Sequence, residues 1–196
     1  MIKAIFIDLD GIIIRKKEKL FSQYFSEENN IPYESVLEFF QNDFKKCSFG
    51  KADLKEVIKL YLEKWNYKGT TDEFLSFWFK RESEINKEIL NLIDAKRKEG
   101  IKYYIATRQE EYRKDYTWNT LGMKDHFDGV FCTCDIGYDK CEKEYWDYVF
   151  NTLKLLPEEI MFFDDRKENV DIAKSLGVQA FLYKDTNSFT ERINLL

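Results

Sequence analysis

From residue 85 onward the sequence alternates between helix-spaced apolar residues and brief runs of Ile, Val, Tyr and Phe. Few folds accept that rhythm. Ile85, Ile89, Leu92 and Ile93 mark one face of a helix stopped by Gly100, and IKYYIA follows as a strand. Residues 110–121 read as a helix ended at Gly122, and GVFC is the next short strand. Residues 143–155 are helical until Pro157 breaks them, IMFF is a buried apolar run, residues 169–176 run as a helix up to Gly177, VQAFLY is a strand, and a last helix closes the chain. Strands that alternate with helices over such short links lie parallel, with helices on both faces of the sheet. The N-terminal run of residues 2–7, ended by acids and Gly11, supplies one more buried strand.

Between that first strand and the alternating part, the pattern is helical throughout. Leu54, Val57, Ile58, Tyr61 and Trp65 share one helix face, and Val36, Leu37, Phe40 and Phe44 do the same upstream. Thr70 and Glu73 have capping-box spacing and open a further helix through Phe74 and Trp78. The expected fold is therefore α/β: a doubly wound, Rossmann-like parallel sheet built from residues 1–15 and 82–196, with an all-helical domain, residues 16–81, inserted after the first strand. The stretch around Arg15 to Lys19 and the neighbourhood of Ser83 form the two connections.

Composition narrows the chemistry. With 36 acids against 31 bases the net charge is −5, which carries no basic excess for a nucleic-acid partner. A single histidine, His126, removes His-rich metal sites and paired-His acid–base schemes. The four cysteines lack a CxxC pair and read as reduced thiols; a zinc site from Cys132, Cys134 and Cys141 would lack paired spacing. The N-terminus interrupts its apolar run with Asp8 and Asp10, and no stretch approaches the roughly 20 apolar residues of a membrane span. A cytoplasmic protein without membrane partners is expected.

In a doubly wound sheet, ligands sit beyond the carboxyl ends of the strands. There FIDLDG delivers Asp8 and Asp10, YIATR delivers Thr107, the region after GVFC delivers Lys140, and MFFDDRKEN delivers Asp164 and Asp165. Each alone has a bland explanation: a polar turn, a helix cap, a solvated lysine, a pair of acids favouring a helix N-terminus. Together they form a set of crowded carboxylates, one hydroxyl and one cation. Crowded carboxylates repel unless a cation sits among them, and oxygen-only ligands select a hard ion such as Mg2+. Mg2+ so held takes phosphate as its remaining partner, and Lys140 with the Thr107 hydroxyl can grip phosphoryl oxygens. The residue types thus point to phosphoryl transfer.

These four segments, in this order, resemble the motifs of the haloacid dehalogenase-like (HAD) superfamily of hydrolases. Asp8 and Asp10 resemble its DxDG motif, Thr107 its strand-terminal Thr, Lys140 its lysine, and Asp164, Asp165, Asn169, Ala173 and Gly177 its DDxxxN motif with trailing Ala and Gly. The helical insertion falls where the family carries a helical cap. The resemblance implies that Asp8 is a nucleophile forming an aspartyl-phosphate and that Asp10 protonates the leaving oxygen and then activates water. It implies Mg2+ held by Asp8, Asp165 and the Asp10 carbonyl, with Asp164 as helper or outer ligand, and Thr107 and Lys140 on the transferring group. An acid at Asp10 favours a phosphatase over carbon–halogen cleavage, and the implied partner is a small phosphorylated metabolite, a sugar phosphate or nucleotide. A phosphomutase, a dehalogenase and a non-catalytic phospho-dependent binding module are the rival readings.

The chain departs from the family's pattern in places. Cys141 stands where Pro usually follows the lysine, so Lys143 is the alternative to Lys140. Arg108 and Gln109 follow Thr107 in place of the commoner Asn; Arg108 would bind an extra anionic group or simply be solvated. Gly11, Arg108 and Lys51 are the candidate substrate contacts, Lys51 because CSFGKADL resembles the Gly-containing cap loop that faces the catalytic cleft. Phe74, Phe77, Trp78 and Phe79 could stack on a base but have the spacing of cap core, and the basic run Arg15, Lys16, Lys17 and Lys19 steers anions or forms a wet hinge.

Overall fold

The computed structural model describes residues 1–97 and 100–195. Its centre is a five-stranded, wholly parallel sheet in the order β3-β2-β1-β4-β5, made of β1 (Ala4–Asp8), β2 (Lys102–Thr107), β3 (Gly129–Cys132), β4 (Ile160–Asp164) and β5 (Gln179–Leu182). β1 and β4 are buried at every position, as their continuous apolar sequences require of strands covered on both faces. On one face Ile5, Ile7, Tyr103, Ile105, Met161 and Phe163 pack with α6 (Lys87–Arg97) and α11 (Thr186–Ile193). On the other, Ala4, Phe6, Ala106 and Phe162 pack with α9 (Lys143–Leu153) and α10 (Lys167–Ser175). The alternation of Ala4/Phe6 with Ile5/Ile7 between two cores is the period-2 pleat made visible. α6 is described as far as Arg97; residues 98 and 99, on the stretch expected to carry the helix to Gly100, lie outside the described residues.

Register places the strand ends level. Asp8 lies opposite Ala106, so Thr107 is one residue beyond; Ile7 lies opposite Phe163, so Asp8 and Asp164 share one rim. The chain leaves β1 toward β2 and β3, then returns to build β4 and β5 on the other side. β1 and β4 therefore flank the switch point at which doubly wound sheets bind ligands.

The segment after β1 forms a helical layer: α1 (Phe21–Glu28), α2 (Tyr33–Glu38), a π-helical turn (Phe39–Asp43), α3 (Phe44–Ser48), α4 (Leu54–Lys64) and α5 (Thr71–Arg81). It has its own core of Phe21, Phe25, Phe39, Ile58, Trp65 and Phe74, among others, linked by many ring contacts. Asp53 caps α4 through the Glu56 N–H at 3.0 Å, and Thr70 with Glu73 closes the expected capping box on α5. Phe74, Trp78 and Phe79 are core, as their spacing implies, while Phe77 is exposed. Two chain segments tie this layer to the sheet: Ile14 bridges antiparallel to Ile85, the Arg15 N–H donates to the Glu84 carbonyl at 2.8 Å, and the Asn86 N–H donates to that of Ile13 at 2.8 Å. The basic run here is partnered, with Arg15 on Asn86, Lys16 on Asp165, Lys17 on Glu84 and Lys19 on Glu27. Between β2 and β3 the expected helix starts as α7 (Glu111–Asp115) and widens into a π-helical turn (Tyr116–Thr120) before Gly122. Between β3 and α9 lies a short helix, α8 (Thr133–Ile136), absent from the sequence reading. No helix among the described residues is long and apolar enough to cross a membrane.

Candidate active site

The ends of β1, β2 and β4 meet at a small polar cavity of about 110 Å3, lined by Asp8, Asp10, Thr107, Lys140, Asp165 and Asn169 among others. Asp8 terminates β1 and is 6 % exposed. Among the described residues its hydrogen bonds fall on Oδ1, which accepts from the Leu9 N–H at 2.8 Å and from Lys140 Nζ at 2.6 Å. Lys140, 3 % exposed, also meets Asp164 Oδ2 at 2.7 Å and donates to the Ala106 carbonyl at 3.2 Å. Its backbone N–H is held by Asp139 Oδ1 at 2.8 Å, and its carbonyl accepts from Trp146 Nε1 at 3.0 Å. Lys140 is therefore the lysine of the site; Lys143 is exposed and pairs with Asp147 one helical turn on.

Asp164 is fully buried, its Oδ1 accepting from the Arg166 N–H at 2.8 Å and Asn169 Nδ2 at 3.0 Å. Asn169 belongs to α10, so the helix that follows β4 fixes the carboxylate at the end of β4. Asp165 pairs with Lys16 from the connection after β1. Gly11 has φ +105° and a Cβ there would run into the Asp165 carboxylate, so the loop after β1 approaches Asp165 only because residue 11 lacks a side chain. Thr107 is 1 % exposed at the end of β2. Arg108 pairs with Asp139 at 2.8 Å at the cavity edge. Asp10 is half-exposed; Gln109 Nε2 donates to its Oδ2 at 2.9 Å, and an Arg113 nitrogen lies 3.8 Å from its Oδ1.

The electrostatics follow from this crowding. Burial pushes the Asp8 carboxyl up to about 7; Lys140 pulls against that, while Asp164 and Asp10 add to it. Burial alone would lower Lys140, but Asp8 and Asp164 beside it hold it protonated, above the usual lysine range. One buried ammonium thus faces two buried carboxylates, with Asp165 alongside. Oxygens of Asp8, Asp164 and Asp165 lie within 4.8 Å of one another, an all-oxygen donor set of the kind that holds a hard divalent cation. Asp164 already has both oxygens engaged, Oδ1 by Arg166 and Asn169 and Oδ2 by Lys140, which leaves Asp8 and Asp165 better placed as direct ligands.

The insert meets the core across a second, larger cleft of about 400 Å3. Its walls are Cys47 and residues 50–54 from the helical layer, and Glu110, Tyr112 and Asp135 from the core. Gly50, at φ +67°, sits so close to the Cys134 carbonyl that a Cβ would collide with it. Lys51, exposed on this loop, lies 5.6 Å from the Phe49 ring centroid. Cys132 and Cys134 approach to 3.2 Å with Asp135 nearby, while Cys141 is exposed and apart from that group. The structure thus brings Asp8, Asp10, Thr107, Lys140, Asp164 and Asp165 together with Gly11 and Arg108, and sets Lys51 on the neighbouring cleft. Sequence reasoning passed over Arg113, and met Gln109 only as a departure after Thr107 and Lys16 only within the basic run; the acids they meet, far away in sequence, show their place in the site.

Comparison with known proteins agrees with this geometry. The profile of the haloacid dehalogenase-like hydrolases matches residues 2–177. Bifunctional epoxide hydrolase 2 of Rattus norvegicus is 30 % identical over 108 residues, 53 % of this chain and 20 % of that protein. The chain spans about a fifth to a quarter of the length of the mammalian relatives it matches. D-ribitol-5-phosphate phosphatase of Bacteroides thetaiotaomicron is 22 % identical over 188 residues, covering 92 % of this chain and 91 % of that one. A crystal structure of a HAD family enzyme from Bacteroides thetaiotaomicron, in complex with magnesium and inorganic phosphate, superposes with a TM-score of 0.81 at 20 % identity, covering 96 % of this chain and 99 % of that one. At that identity the likeness establishes a common fold.

Proposed function

This chain belongs to the haloacid dehalogenase-like hydrolases, and from that premise we propose that it is a Mg2+-dependent phosphatase of a small phosphorylated metabolite, a sugar phosphate or nucleotide, acting through an aspartyl-phosphate on Asp8. Residues 1–15 with 82–196 serve as the catalytic core, and residues 16–81 as a cap over the leaving-group side. The observation that carries the proposal is the register of β1, β2 and β4, which sets Asp8 and Asp164 on one rim against the buried Lys140 ammonium, with Thr107 one residue beyond the partner of Asp8. Asp8, Asp165 and the Asp10 carbonyl would hold Mg2+, with Asp164 as helper. When bound, the ion neutralises charge on the phosphoryl oxygens and orients the group for in-line attack.

A carboxylate oxygen of Asp8 attacks phosphorus, and the bond from phosphorus to the leaving oxygen breaks as Asp10 gives that oxygen its proton. Asp10, now ionised, takes a proton from water as the water attacks phosphorus; the Asp8–phosphorus bond breaks and inorganic phosphate leaves. Thr107 and Lys140 hold the equatorial oxygens throughout, where charge accumulates. Lys140 also keeps Asp8 available as an anion: without its ammonium, burial would favour the protonated acid, which is no nucleophile. A protonating acid at Asp10 is what an oxygen leaving group needs and a halide does not, which favours a phosphatase over a dehalogenase. The likeness to D-ribitol-5-phosphate phosphatase of Bacteroides thetaiotaomicron makes a phosphorylated sugar or polyol the first substrate class to screen.

The test is phosphate release from p-nitrophenyl phosphate and a panel of sugar phosphates and nucleotides. The expected result is activity with Mg2+ that is lost in EDTA and in Asp8→Asn. Turnover that survives Asp8→Asn would remove the nucleophile assignment, and indifference to chelation would remove the metal.

A further inference from the structure

Asp10 stands half-exposed at the edge of the cavity, where a carboxylate has two side-chain torsions and several staggered positions open to it. Proton transfer demands one of them, within hydrogen-bond reach of the leaving oxygen. Two side chains address its two oxygens, one from the β2–α7 connection and one from α7 itself. Gln109, 3 % exposed, donates from Nε2 to Asp10 Oδ2 at 2.9 Å. Arg113, 6 % exposed, brings a guanidinium nitrogen to 3.8 Å from Oδ1.

Both are themselves fixed. The Gln109 carbonyl accepts from Cys132 Sγ at 3.1 Å, at the end of β3. Glu110 accepts the N–H groups of Tyr112 at 2.8 Å and Arg113 at 2.6 Å, which locks the turn carrying both residues. The Arg113 guanidinium reaches the other way as well: it donates to the Phe79 carbonyl at 2.9 Å and to the Glu82 carbonyl, at the end of α5 where the helical layer returns to the core. Glu82 is anchored there by Trp78 Nε1 at 2.8 Å and the Phe21 N–H at 3.3 Å. A single guanidinium therefore touches the return of the helical layer and stands beside the Asp10 carboxylate.

We propose that Gln109 and Arg113 are positioning residues that hold the Asp10 carboxylate in its working orientation, and that Arg113 makes this orientation conditional on the seating of the cap's return segment. The proposal rests on Asp10 being the proton donor and acceptor of the proposed reaction. Misplacing a catalytic group by about 1 Å can cost about a hundredfold, so the effect is measurable even though neither residue reaches the phosphoryl group.

Leaving groups provide the test. A p-nitrophenolate departs with little help from an acid, whereas an alkoxide such as that of glycerol phosphate needs its proton. The measurement is kcat/KM for both substrates in the wild-type protein, Gln109→Leu, Arg113→Lys, Asp10→Asn and the double variant Gln109→Leu/Asp10→Asn, each checked for a retained cooperative melt. Gln109→Leu keeps the volume of the buried side chain, and Arg113→Lys keeps the charge while losing the two-sided fork. The expected result is that Gln109→Leu and Arg113→Lys each lose at least about tenfold more on the alkyl than on the aryl phosphate. In the Asp10→Asn background, Gln109→Leu should then add less than about twofold. Equal losses on both substrates, or full additivity in the double variant, would make the two residues merely structural and overturn the proposal. If Asp10→Asn itself shows no preference between the substrates, the assignment of Asp10 as the acid fails, a result distinct from failure of the positioning role.

Discussion

Replacing Lys140 with Met tests the charge balance of the site most severely. Met fills much of the volume of the buried lysine stem but removes the ammonium that lies 2.6 Å from Asp8 and 2.7 Å from Asp164. Removing one partner of a buried ion pair costs about 3–5 kcal/mol, because the other charge is left unpaired in a poorly polarisable surrounding. Here two carboxylates lose the same partner, so the upper part of that range is expected at pH 8 in EDTA, read as a shift in the urea midpoint at unchanged m-value. The cost should fall with pH. Asp8 has a folded-state pKa of about 7 against 3.8 unfolded, so between those values the folded protein binds a proton that the unfolded chain does not. Stability from this group accordingly rises as pH falls through about 7. Loss of Lys140 lifts the Asp8 carboxyl further, so the variant should regain much of its deficit by pH 5.5. Mg2+ should stabilise the variant more than the wild-type protein, since the ion would supply the missing positive charge. A deficit below about 1 kcal/mol at pH 8, or one that does not shrink on acidification, would refute the account of Lys140 as the cation on which both buried carboxylates depend.

Two further perturbations address the supports of the site. Burial holds Glu110 up at about 7 against its ordinary 4.5, despite the two N–H groups and the Arg113 charge that favour its anion. Its contribution therefore rises by about 2 kcal/mol as pH falls from about 7 to 5.5; the wild-type minus Glu110→Gln stability difference should change by that amount across the window, and a flat difference in urea titrations would contradict it. Gly50→Ala places a methyl against the Cys134 carbonyl at a left-handed φ of +67°. A loss of about 1–3 kcal/mol in thermal or urea unfolding is expected, and a neutral substitution would show that the loop carrying Lys51 does not need its close seat on α8.

Much of this molecule is legible in its sequence, and the residues show why. Continuous β-branched and aromatic runs such as AIFID and IMFFD fit only strands buried on both faces, and the acids that end them have to emerge at the carboxyl rim. Thr70 and Glu73 carry their capping geometry in their spacing alone. Lys140 and Lys143 are separable only in three dimensions, since either could open α9 and only the backbone path through Asp139 sends the first one inward. Gln109 and Arg113 read locally as a strand-end amide and a helix-surface charge. Their partners Asp10, Phe79 and Glu82 lie far away in the chain, and no periodicity encodes that meeting. The π-helical turn after α7 is invisible for a similar reason: residues 110–121 have ordinary helical spacing, and the contact of Tyr116 with Phe79 of α5, in that turn, is a long-range one.

The central claim, that Asp8 carries the phosphoryl group, has a direct chemical readout. Acid quench of the Mg2+-loaded protein during turnover of a sugar phosphate or p-nitrophenyl phosphate, followed by borohydride reduction and peptide mass spectrometry, should find the residue-8 carboxyl converted through its acyl phosphate to the alcohol. The conversion should be absent in Asp8→Asn and in EDTA. Steady turnover with an unmodified Asp8, in quenches fast enough to sample every cycle, would contradict it.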